Sequence, residues 1–551
     1  MSSSVLELLE AAAQSKTRVT FLNREVTSCS VGELWRAAGE RGQRLTNQVG
    51  SEGCVGAVLA SSPDCVATLM GAWRAGLSLA SLPYPSRGMD LAAYSRQLKS
   101  MCLLVGADLL LVEESYLPFL ADLGVPVGGF GGGEVRKPAR LRGGSGEFVQ
   151  FTSGSAGEPK GVRLSMNALG ANVASILEVL DPSPTDSACS WLPLSHDMGL
   201  IGMCLASLVS CGPPWNCTGG LTLIAPEQFL AHPRVWLETC SDLGTTITAA
   251  PNFAFDLTGR LLHEGTGGLD LSKLRVCITG GELIRAGTLR RFTTAAGPHG
   301  FRGVAFCPAY GIAEATLAVT MVWPSVSWQS VTVDANALGE GRWVEVDDGQ
   351  GREILSCGEP LPGIKVQTGD DSGGRIGQIE IHGPSLLDGY VTEPAPLTDE
   401  GWFTTQDLGR LLNGELYITG RGDDVVLVAG RNLYAVDIES AVARHGLVRP
   451  GNCAVIPDGR GRYAIITERA REAGEAGMRE AARLMRGQLV KLFPAAPSQV
   501  VFIQRGSLPK TPSGKVQRHR LEESFRRGTL EVECSVRFKG RVGAVETVSG
   551  S

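Results

Sequence analysis

The chain has 551 residues, of which 43% are hydrophobic and 20% charged, and its formal net charge is −6. A chain of this length normally folds as more than one unit, and this composition excludes disorder over the whole chain. The slightly acidic balance also excludes a strongly basic nucleic-acid-binding surface at the level of the whole chain.

No apolar run approaches the ~18 residues that a membrane-spanning helix needs, so we expect no integral membrane segment. The first residues include Glu7 and Glu10 and no basic leader, which argues against a signal peptide. The cysteines form no C-x-x-C pair, and the histidines show no metal-ligand spacing. We therefore expect a cytoplasmic enzyme with reduced cysteines, no protein-held zinc ion and no nucleic-acid partner.

The first clearly bounded helix is predicted to begin at a capping box formed by Ser30 and Glu33 and to run to about Leu45. A strand at 55–60, a helix that ends near Arg74 and a strand at 77–82 follow. Repeated strand–helix–strand order is typical of layered α/β folds with parallel sheets.

Helical patterns become rare from about 331 to 416, where turn residues bound a strand at 376–382. They return after Gly420, most clearly at 479–492. The sequence therefore predicts an α/β fold with a large N-terminal body of layered parallel sheets and helices, which includes a β-rich subdomain, at 1–420. A small, mobile α+β C-terminal domain is predicted at 421–551.

The strongest local signal for chemistry follows a predicted strand at 148–151 and reads TSGSAGEPKG from Thr152. Its hydroxyl groups and closely spaced glycines concentrate hydrogen-bond donors in a small volume, and Lys160 adds a positive charge, as a polyphosphate requires. The spacing is not that of a Walker loop, and a flexible Gly/Ser loop is the alternative interpretation. The candidate phosphate ligands are Thr152, Ser153, Gly154, Ser155, Ala156 and Lys160.

This loop resembles the phosphate-binding signature of the adenylate-forming superfamily, which comprises acyl-CoA synthetases, luciferases and peptide-synthetase adenylation domains. Seven more segments resemble superfamily motifs, in order along almost the whole chain. They are WLPLSHDMGLIG (191–202), APNFAFD (250–256), TGGE (279–282), PAYGIAEAT (308–316), GWFTTQD (401–407), GRGDD (420–424) and LPKTPSGK (508–515). The first two of these seven resemble fatty acyl-AMP ligases in particular.

The resemblance implies two half-reactions. A carboxylate attacks the α-phosphate of ATP, giving an acyl adenylate and pyrophosphate, and a thiol then attacks the acyl carbonyl after the C-terminal domain has swung about a hinge. ATP and Mg²⁺ are the implied cofactors. Lys515 is implied to stabilise the charge of the two reacting anions, and Glu314 to hold Mg²⁺. A solvated lysine and a surface glutamate are the respective alternatives.

The same resemblance implies several further roles. Asp407 would accept from the ribose hydroxyls and Arg421 would donate to the same sugar region, with a structural ion pair as the alternative. His196 is implied as a third catalytic residue, a gate beside the carboxylate, and a packed histidine is the alternative; no G-x-S-x-G elbow supports a hydrolase triad. Asp423 is the implied hinge, or else a turn aspartate. The implied adenine contacts are Gly281, Glu282, Tyr310 and Gly311, and the implied acyl-pocket residues are Asn252, Phe253, Phe255, Cys307 and Gly311.

The stretch from Val333 to Gly358 resembles the extra segment that separates fatty acyl-AMP ligases from acyl-CoA synthetases. Such a segment is expected to restrain the domain swing or block the path of CoA, and an inert surface hairpin is the alternative. Four positions depart from the superfamily pattern, namely Ala156, Thr279, Gln406 and Ala435. The alanine at 156 removes one hydroxyl donor, which costs about 1.5–3 kcal/mol against a charged oxygen and is expected to slow adenylation.

Three functional hypotheses follow. The first is an acyl-AMP ligase that activates a lipophilic carboxylic acid for the phosphopantetheine thiol of a separate carrier protein, in lipid or natural-product assembly. The second is an acyl-CoA ligase that uses CoA as acceptor, biased toward the thioesterification step. The third is a non-catalytic protein that binds acyl adenylates or lipid, against which the retention of Lys515 and Glu314 argues. The identity of the acid stays open, and an alkyl chain, an aryl acid and a polycyclic acid are all compatible with the sequence.

Overall fold

The computed structural model describes residues 3–85, 91–120, 123–131, 146–152, 160–262, 268–347, 351–369, 374–422, 425–428, 431–443, 448, 451–458, 462–469, 474–493, 495–510, 516–538 and 545–547. Its α-helices are α1 (Val5–Ala11), α2 (Val31–Val49), α3 (Pro63–Arg74), α4 (Leu91–Val105), α5 (Met166–Leu180), α6 (Ala206–Ser210), α7 (Pro226–Ala231), α8 (Arg234–Leu243), α9 (Asn252–Leu261), α10 (Ala286–Ala296), α11 (Ala335–Gly339), α12 (Ala435–Ala443), α13 (Glu475–Leu492) and α14 (Arg518–Arg527). A π-helical segment, Met198–Leu205, precedes α6.

The strands are β1 (Arg18–Leu22), β2 (Val26–Ser30), β3 (Cys54–Val58), β4 (Ser78–Leu82), β5 (Leu109–Val112), β6 (Val127–Gly129), β7 (Phe148–Phe151), β8 (Gly161–Leu164), β9 (Ala188–Ser190), β10 (Leu221–Ile224), β11 (Ile247–Ala250), β12 (Val276–Thr279), β13 (Phe306–Gly311), β14 (Ala318–Met321), β15 (Ser330–Val333), β16 (Arg352–Leu355), β17 (Glu359–Pro360), β18 (Lys365–Thr368), β19 (Gly377–His382), β20 (Gly389–Tyr390), β21 (Phe403–Leu412), β22 (Glu415–Arg421), β23 (Val425–Val428), β24 (Arg431–Tyr434), β25 (Cys453–Pro457), β26 (Tyr463–Glu468), β27 (Gln499–Ile503), β28 (Val532–Phe538) and β29 (Val545–Thr547).

Two large, mainly parallel sheets form the N-terminal body. One has the strand order β17-β14-β13-β12-β11-β9-β10-β1-β2, and the other has the order β20-β8-β7-β4-β3-β5-β6. Strands of both sheets contribute to one hydrophobic core together with α2, α3 and α5. The second sheet buries its other face against α4. The layered α/β expectation is confirmed by this topology.

Local sequence signals account for several of these elements. Ser30 and Glu33 form the expected reciprocal capping box: the Ser30 amide donates to Glu33 (2.7 Å), and the Glu33 amide donates to the Ser30 hydroxyl (3.2 Å). The helix α2 then extends to Val49, four residues beyond the expected end. Strands β4, β7 and β19 lie within one residue of the expected bounds. The predicted strand at 55–60 is observed at Cys54–Val58.

The β-rich stretch is also present. An antiparallel sheet, β18-β19-β21-β22, and a hairpin, β15-β16, occupy the region between 330 and 421. Beyond it, β25 to β29 form a five-stranded sheet with its own cores, packed against α12, α13 and α14. Among the described strands, those up to Arg421 and those from Val425 onward pair in separate sheets. A domain boundary at 420/421 stays a prediction, and this pairing supports it.

No helix in the described ranges combines the length and the apolar character needed to cross a lipid bilayer. The fourteen cysteines are free thiols, and most of them are buried.

Candidate active site

A cavity of about 2640 Å³ opens where parallel strands of both large sheets end. Its walls include residues that follow β7, β9, β11, β12 and β13 within five positions, which are Thr152, Ser195, Asn252, Gly280 and Glu314. Ligands of open α/β sheets bind at the carboxyl ends of the strands. The β-rich sheet and the C-terminal unit complete the wall, so that segments distant in sequence face one space.

The ends of the predicted phosphate loop are held together. The Thr152 amide donates to the Lys160 carbonyl at 3.0 Å, which continues the pairing of β7 with β8. The Lys160 ammonium lies 3.2 Å from Glu393 and 4.7 Å from the ring centre of Tyr390. Because Lys160 and Glu393 are both more than half exposed, this ion pair contributes little to stability, and the cation can turn toward an anionic ligand. Ser153, Gly154, Ser155 and Ala156 lie outside the described residues.

Glu314 lies in a short 3₁₀ turn, Ala313–Ala315, directly after β13. Its Oε1 accepts a 3.0 Å hydrogen bond from the hydroxyl of Tyr390, which is 76 residues away in the chain. Burial raises the pKa of Glu314, while the hydrogen bond from Tyr390 opposes that rise. Tyr390 is a site residue that sequence reasoning missed, since its short flanking segment carries no recognisable motif.

The donor set suits Mg²⁺. This ion takes one or two carboxylates and completes its shell with water and substrate phosphates. Glu314 supplies such a carboxylate on the cavity wall. Across the described part of the chain, no group of three or more His, Cys, Asp or Glu side chains forms a closed metal site. A magnesium ion at this site would therefore be held by Glu314 together with the phosphates of a bound nucleotide.

Asp407 and Arg421 are cross-strand neighbours, because β21 and β22 pair in that register. Arg421 Nε lies 3.4 Å from Asp407 Oδ1, and the hydroxyl of Tyr310 donates to Asp407 Oδ2 at 2.7 Å. Burial, followed by the nearby Asp407 charge, raises the pKa of Tyr310. Three predicted nucleotide contacts are thus joined in one network. The ion pair that was the alternative interpretation for Asp407 and Arg421 is present as well.

Two glycines are required by the backbone here. Gly281, in the predicted adenine turn, has a φ of +75°, which residues with a Cβ rarely adopt. A Cβ on Gly311 would lie 1.9 Å from the carbonyl oxygen of Leu317, so only glycine fits at the end of β13. Both glycines line the cavity. Glu282, predicted as a nucleotide contact, accepts a 2.7 Å hydrogen bond from the Phe253 amide and so caps the first turn of α9.

His196 lies beside the glycine turn. A Cβ built on Gly281 would be 3.9 Å from His196 Cε1. His196 Nδ1 is 2.6 Å from Asp197 Oδ1, and such a partner fixes the orientation of the imidazole ring. His196 is therefore held on the cavity wall with its predicted neighbours.

The predicted acyl pocket is only partly on the cavity wall. Asn252 and Phe253 line the cavity, whereas Phe255 and Cys307 do not. Phe255 is 1% exposed and packs edge-on against Trp236, Phe292 and Phe306 with ring centres 4.9–5.2 Å apart. Helix α9 turns residues 253, 256, 257 and 260 to the cavity, so its period places residue 255 in the core.

Cys307 is fully buried on β13 beside Ile278 of β12. The cavity begins at Ala309, nearer the carboxyl end of the same strand. The expectation that Phe255 and Cys307 line the pocket is therefore corrected. The π-helical segment contributes wall residues that sequence reasoning missed, namely Gly202 and Met203. No pattern in the sequence distinguishes this segment from an α-helix.

Lys515 and Asp423 lie outside the described residues. The residues on either side of the predicted lysine loop are described: Lys510 and Val516 form an antiparallel bridge, and the Gln517 amide donates to the Pro509 carbonyl at 2.8 Å. Val516, Gln517 and Arg518 line the cavity. The C-terminal unit therefore presents the chain next to Lys515 to the same space as Glu314 and Asp407.

Three of the four departures from the superfamily pattern lie within the described residues, and of these Gln406 lines the cavity. Gln406 is exposed on β21, and Ala435 is buried at the start of α12. The hydroxyl of Thr279 is buried at the end of β12 and has no hydrogen-bond partner among the described residues.

Two family models and several known proteins match this chain. The family model for AMP-binding enzymes matches residues 8–391, and a model for the AMP domain of Disco-interacting protein 2-like proteins matches 423–535. A putative ligase of Mycobacterium tuberculosis is 31% identical over 517 residues, which is 89% of this chain and 94% of that protein. The long-chain-fatty-acid–AMP ligase FadD26 of Mycobacterium marinum is 35% identical over 413 residues, 69% of each chain.

Solved structures share the fold. A structure from a study of fatty acyl-adenylate ligases of E. coli and L. pneumophila aligns with a TM-score of 0.86 at 24% identity and covers 96% of this chain and 98% of that one. The anthranilate CoA ligase AuaEII aligns with a TM-score of 0.69 at 18% identity, covering 96% and 98%. The fold expectation is confirmed, and the matched structures include both fatty acyl-adenylate ligases and a CoA ligase. From the family match and the identity to its relatives, the chain belongs to the AMP-binding enzyme family, as its sequence motifs indicated.

Proposed function

We propose that this protein is an acyl-AMP ligase, which joins a lipophilic carboxylic acid to the adenylate of ATP and passes the acyl group to a carrier-protein thiol. The proposal rests on a single cavity that is lined by both polar and apolar side chains. Glu314, Asp407 and Tyr310 supply polar groups to it, and Ile278, Leu317 and Met321 supply apolar surface. The similarity to FadD26, a long-chain-fatty-acid–AMP ligase, supports the same activity.

In the first half-reaction, a carboxylate oxygen of the acid attacks the α-phosphorus of ATP. The bond from that phosphorus to the oxygen that bridges to the β-phosphate breaks, and pyrophosphate leaves with the electron pair. Two anions must meet, so the site has to supply positive charge and hold the reactants in line. Lys515 supplies that charge, with Lys160 at the phosphate loop. Magnesium, when bound, would neutralise phosphate charge, and Glu314 is the residue that would hold it.

Asp407 and its two partners orient the nucleotide. The Asp407 carboxylate accepts from the ribose hydroxyls, while Tyr310 and Arg421 keep it in place through the bonds described above. His196 acts as a gate next to the reacting carboxylate, with Asp197 fixing its ring. In the second half-reaction, the thiol loses its proton to solvent and its sulfur attacks the acyl carbonyl; the bond from the acyl carbon to the phosphate oxygen breaks, and AMP leaves with the electron pair.

Replacing Tyr390 by phenylalanine tests the environment of Glu314. The hydrogen bond from Tyr390 lowers the pKa of Glu314, so its removal raises that pKa further. Glu314 then stays protonated to a higher pH, and the acidic limb of the kcat/KM profile for ATP is expected to move to higher pH. The phenyl ring keeps its contact with Lys160, so the rate at the plateau of the profile is expected to change less than the position of the acidic limb.

The matched control is Tyr417→Phe, which removes the hydroxyl of the Tyr417–Glu415 pair (3.2 Å) outside the cavity. Its pH profile should equal that of the wild type. An acidic limb that stays in place in Tyr390→Phe would show that Glu314 does not govern it.

The segment between Val333 and Gly358 supports the carrier protein over CoA as acceptor. Its Arg352 makes a 3.1 Å ion pair with Asp437 of α12, and the Arg352 guanidinium lies 4.7 Å from the ring centre of Tyr434. Val333, Leu338 and Ile354 share a hydrophobic cluster with Tyr434. The segment is therefore packed against the C-terminal unit, and this packing would restrain a domain swing rather than leave an inert hairpin.

The decisive experiment is mass spectrometry of the purified protein with ATP, Mg²⁺ and a panel of carboxylic acids, each with CoA, with a phosphopantetheinylated carrier protein, or with neither. We expect acyl-AMP to form and CoA to be ignored. Acyl-CoA as the main product would move the assignment to the CoA ligase. Absence of any adenylate with every acid would favour the non-catalytic binding protein.

The same assay tests the restraint. We expect Arg352→Ala to release the segment from α12 and to increase acyl-CoA formation about tenfold over the wild type, because one partly buried ion pair and one cation–π contact are lost together. Arg342→Ala is the control, since Arg342 pairs with Glu340 at the surface of the same segment. If Arg352→Ala forms acyl-CoA at the wild-type rate, the contact between Arg352 and Asp437 does not determine the choice of acceptor.

A further inference from the structure

Two polar side chains lie side by side on the second parallel sheet, in a place where apolar residues are the rule. Ser81 of β4 and Gln150 of β7 are direct partners in the parallel register of these strands. Leu79 and Phe148, two residues earlier on the same face of each strand, are fully buried in the main core. Ser81 is 1% exposed and Gln150 3%, and both line the cavity.

Neither group has all of its hydrogen-bonding capacity used by the described residues. The Ser81 hydroxyl oxygen and Gln150 Oε1 are buried and have no hydrogen-bond partner among the described residues. Among the described residues that line the cavity, these are the two uncharged side chains with a buried polar atom that has no hydrogen-bond partner. A buried polar group left without a partner costs about 1–3 kcal/mol. Two such groups at adjacent positions of a ligand cavity indicate that a ligand supplies the partner.

The amide of Gln150 has a fixed direction. Its Nε2 donates to the carbonyl of Ser195 at 3.0 Å and to that of Phe151 at 3.3 Å. The free Oε1 is therefore purely an acceptor, whereas the Ser81 hydroxyl can both donate and accept. One hydroxyl group on a ligand satisfies both, because it donates to Gln150 Oε1 and accepts from Ser81. An unsubstituted alkyl chain satisfies neither.

The anchoring contacts locate this pair near the reacting end of the cavity. Ser195 directly precedes His196, and Phe151 directly precedes Thr152 of the phosphate loop. A substituent that reaches Ser81 and Gln150 is thus attached near the carboxyl group of the acid and not at its far end.

We infer that the acid activated by this enzyme carries a hydroxyl group on one of its first few carbons, and that Ser81 and Gln150 recognise it. This inference rests on the proposed acyl-AMP ligase activity and names its substrate class. A site built to hydrogen-bond a substrate hydroxyl discriminates strongly against the analogue without it, since the protein groups are then left unpaired.

The test compares acids of one chain length that are unsubstituted, 2-hydroxylated, 3-hydroxylated or hydroxylated at the far end. The kcat/KM for acyl-AMP formation is measured with the wild type and with Ser81→Ala. We expect the wild type to prefer the 2- or 3-hydroxy acid over the unsubstituted acid by at least about tenfold. Ser81→Ala should lower that preference by about tenfold and leave the unsubstituted acid unaffected or improved.

The control is Ser100→Ala, which removes an exposed hydroxyl from the wall of the same cavity and should leave the preference unchanged. Equal kcat/KM for unsubstituted and hydroxylated acids in the wild type would overturn the inference while leaving acyl-AMP formation intact. A preference for the acid with the far-end hydroxyl would also overturn it. A preference for the 2- or 3-hydroxy acid that survives Ser81→Ala would overturn it too, and is the result expected if an ordered water, and not the substrate, binds Ser81 and Gln150. Absence of acyl-AMP with every acid would instead overturn the proposed function.

Discussion

Lys515→Ala is expected to lower the rate of acyl-AMP formation by about 10²- to 10³-fold, the range typical for loss of one group that stabilises charge in a transition state. The reacting carboxylate and the α-phosphate repel each other as they approach, and an ammonium that contacts both offsets that repulsion. The chain directly after Lys515 lines the cavity at Val516, which supports this role. Pyrophosphate release with saturating acid and ATP gives the rate.

A second measurement separates a lost catalytic group from a damaged domain. Transfer of the acyl group from supplied acyl-AMP to the thiol involves no encounter of two anions at phosphorus, so Lys515→Ala should affect this step much less. Lys491→Ala, at an exposed position near the end of α13, is the control for removing a lysine from the C-terminal unit. Adenylation by Lys515→Ala at close to the wild-type rate would overturn the assigned role.

Glu314→Gln is expected to reduce kcat/KM for ATP by about 10²-fold or more, with a marked increase in the Mg²⁺ concentration needed for half-maximal rate. The amide has nearly the same shape and can still accept the hydrogen bond from Tyr390, so the change removes the charge and little else. Initial rates over a magnesium titration at fixed ATP provide both numbers.

Glu415→Gln is the matched control, because Glu415 also accepts from a tyrosine hydroxyl but lies outside the cavity wall. It should keep the magnesium dependence of the wild type. A Glu314→Gln variant with an unaltered magnesium requirement would assign the metal to other groups and leave Glu314 a structural role.

Much of the fold could be read from local sequence. The capping box of Ser30 and Glu33 joins residues three apart, and the strand at Phe148–Phe151 is bounded by residues with clear propensities, so neither depends on distant parts of the chain. The motif order along the chain was enough to identify the family. Gly311 was predicted as a ligand contact from its motif, whereas the close approach of the Leu317 carbonyl, which requires a glycine there, is visible only in the structure.

Side-chain partners were harder to predict. Phe253 and Phe255 are both aromatic residues of one motif, yet one lines the cavity and the other packs in the core, since α9 has two faces and the sequence does not say what each meets. Glu314 was predicted without Tyr390, because a hydroxyl becomes its partner only when β20 is brought next to the turn after β13.

The sequence by itself determined the chemistry that this protein can carry: its family, the order of its elements and the residue types at the phosphate, ribose and lysine motifs. Those properties depend on short segments, whose hydrogen-bonding capacity and backbone preferences are local. Only the tertiary structure decided which groups share one cavity. The register of β4 with β7 sets Ser81 beside Gln150, and the packing of the 333–358 segment on α12 sets Arg352 beside Asp437. Such contacts arise from long-range pairing and packing, for which no single segment carries the information.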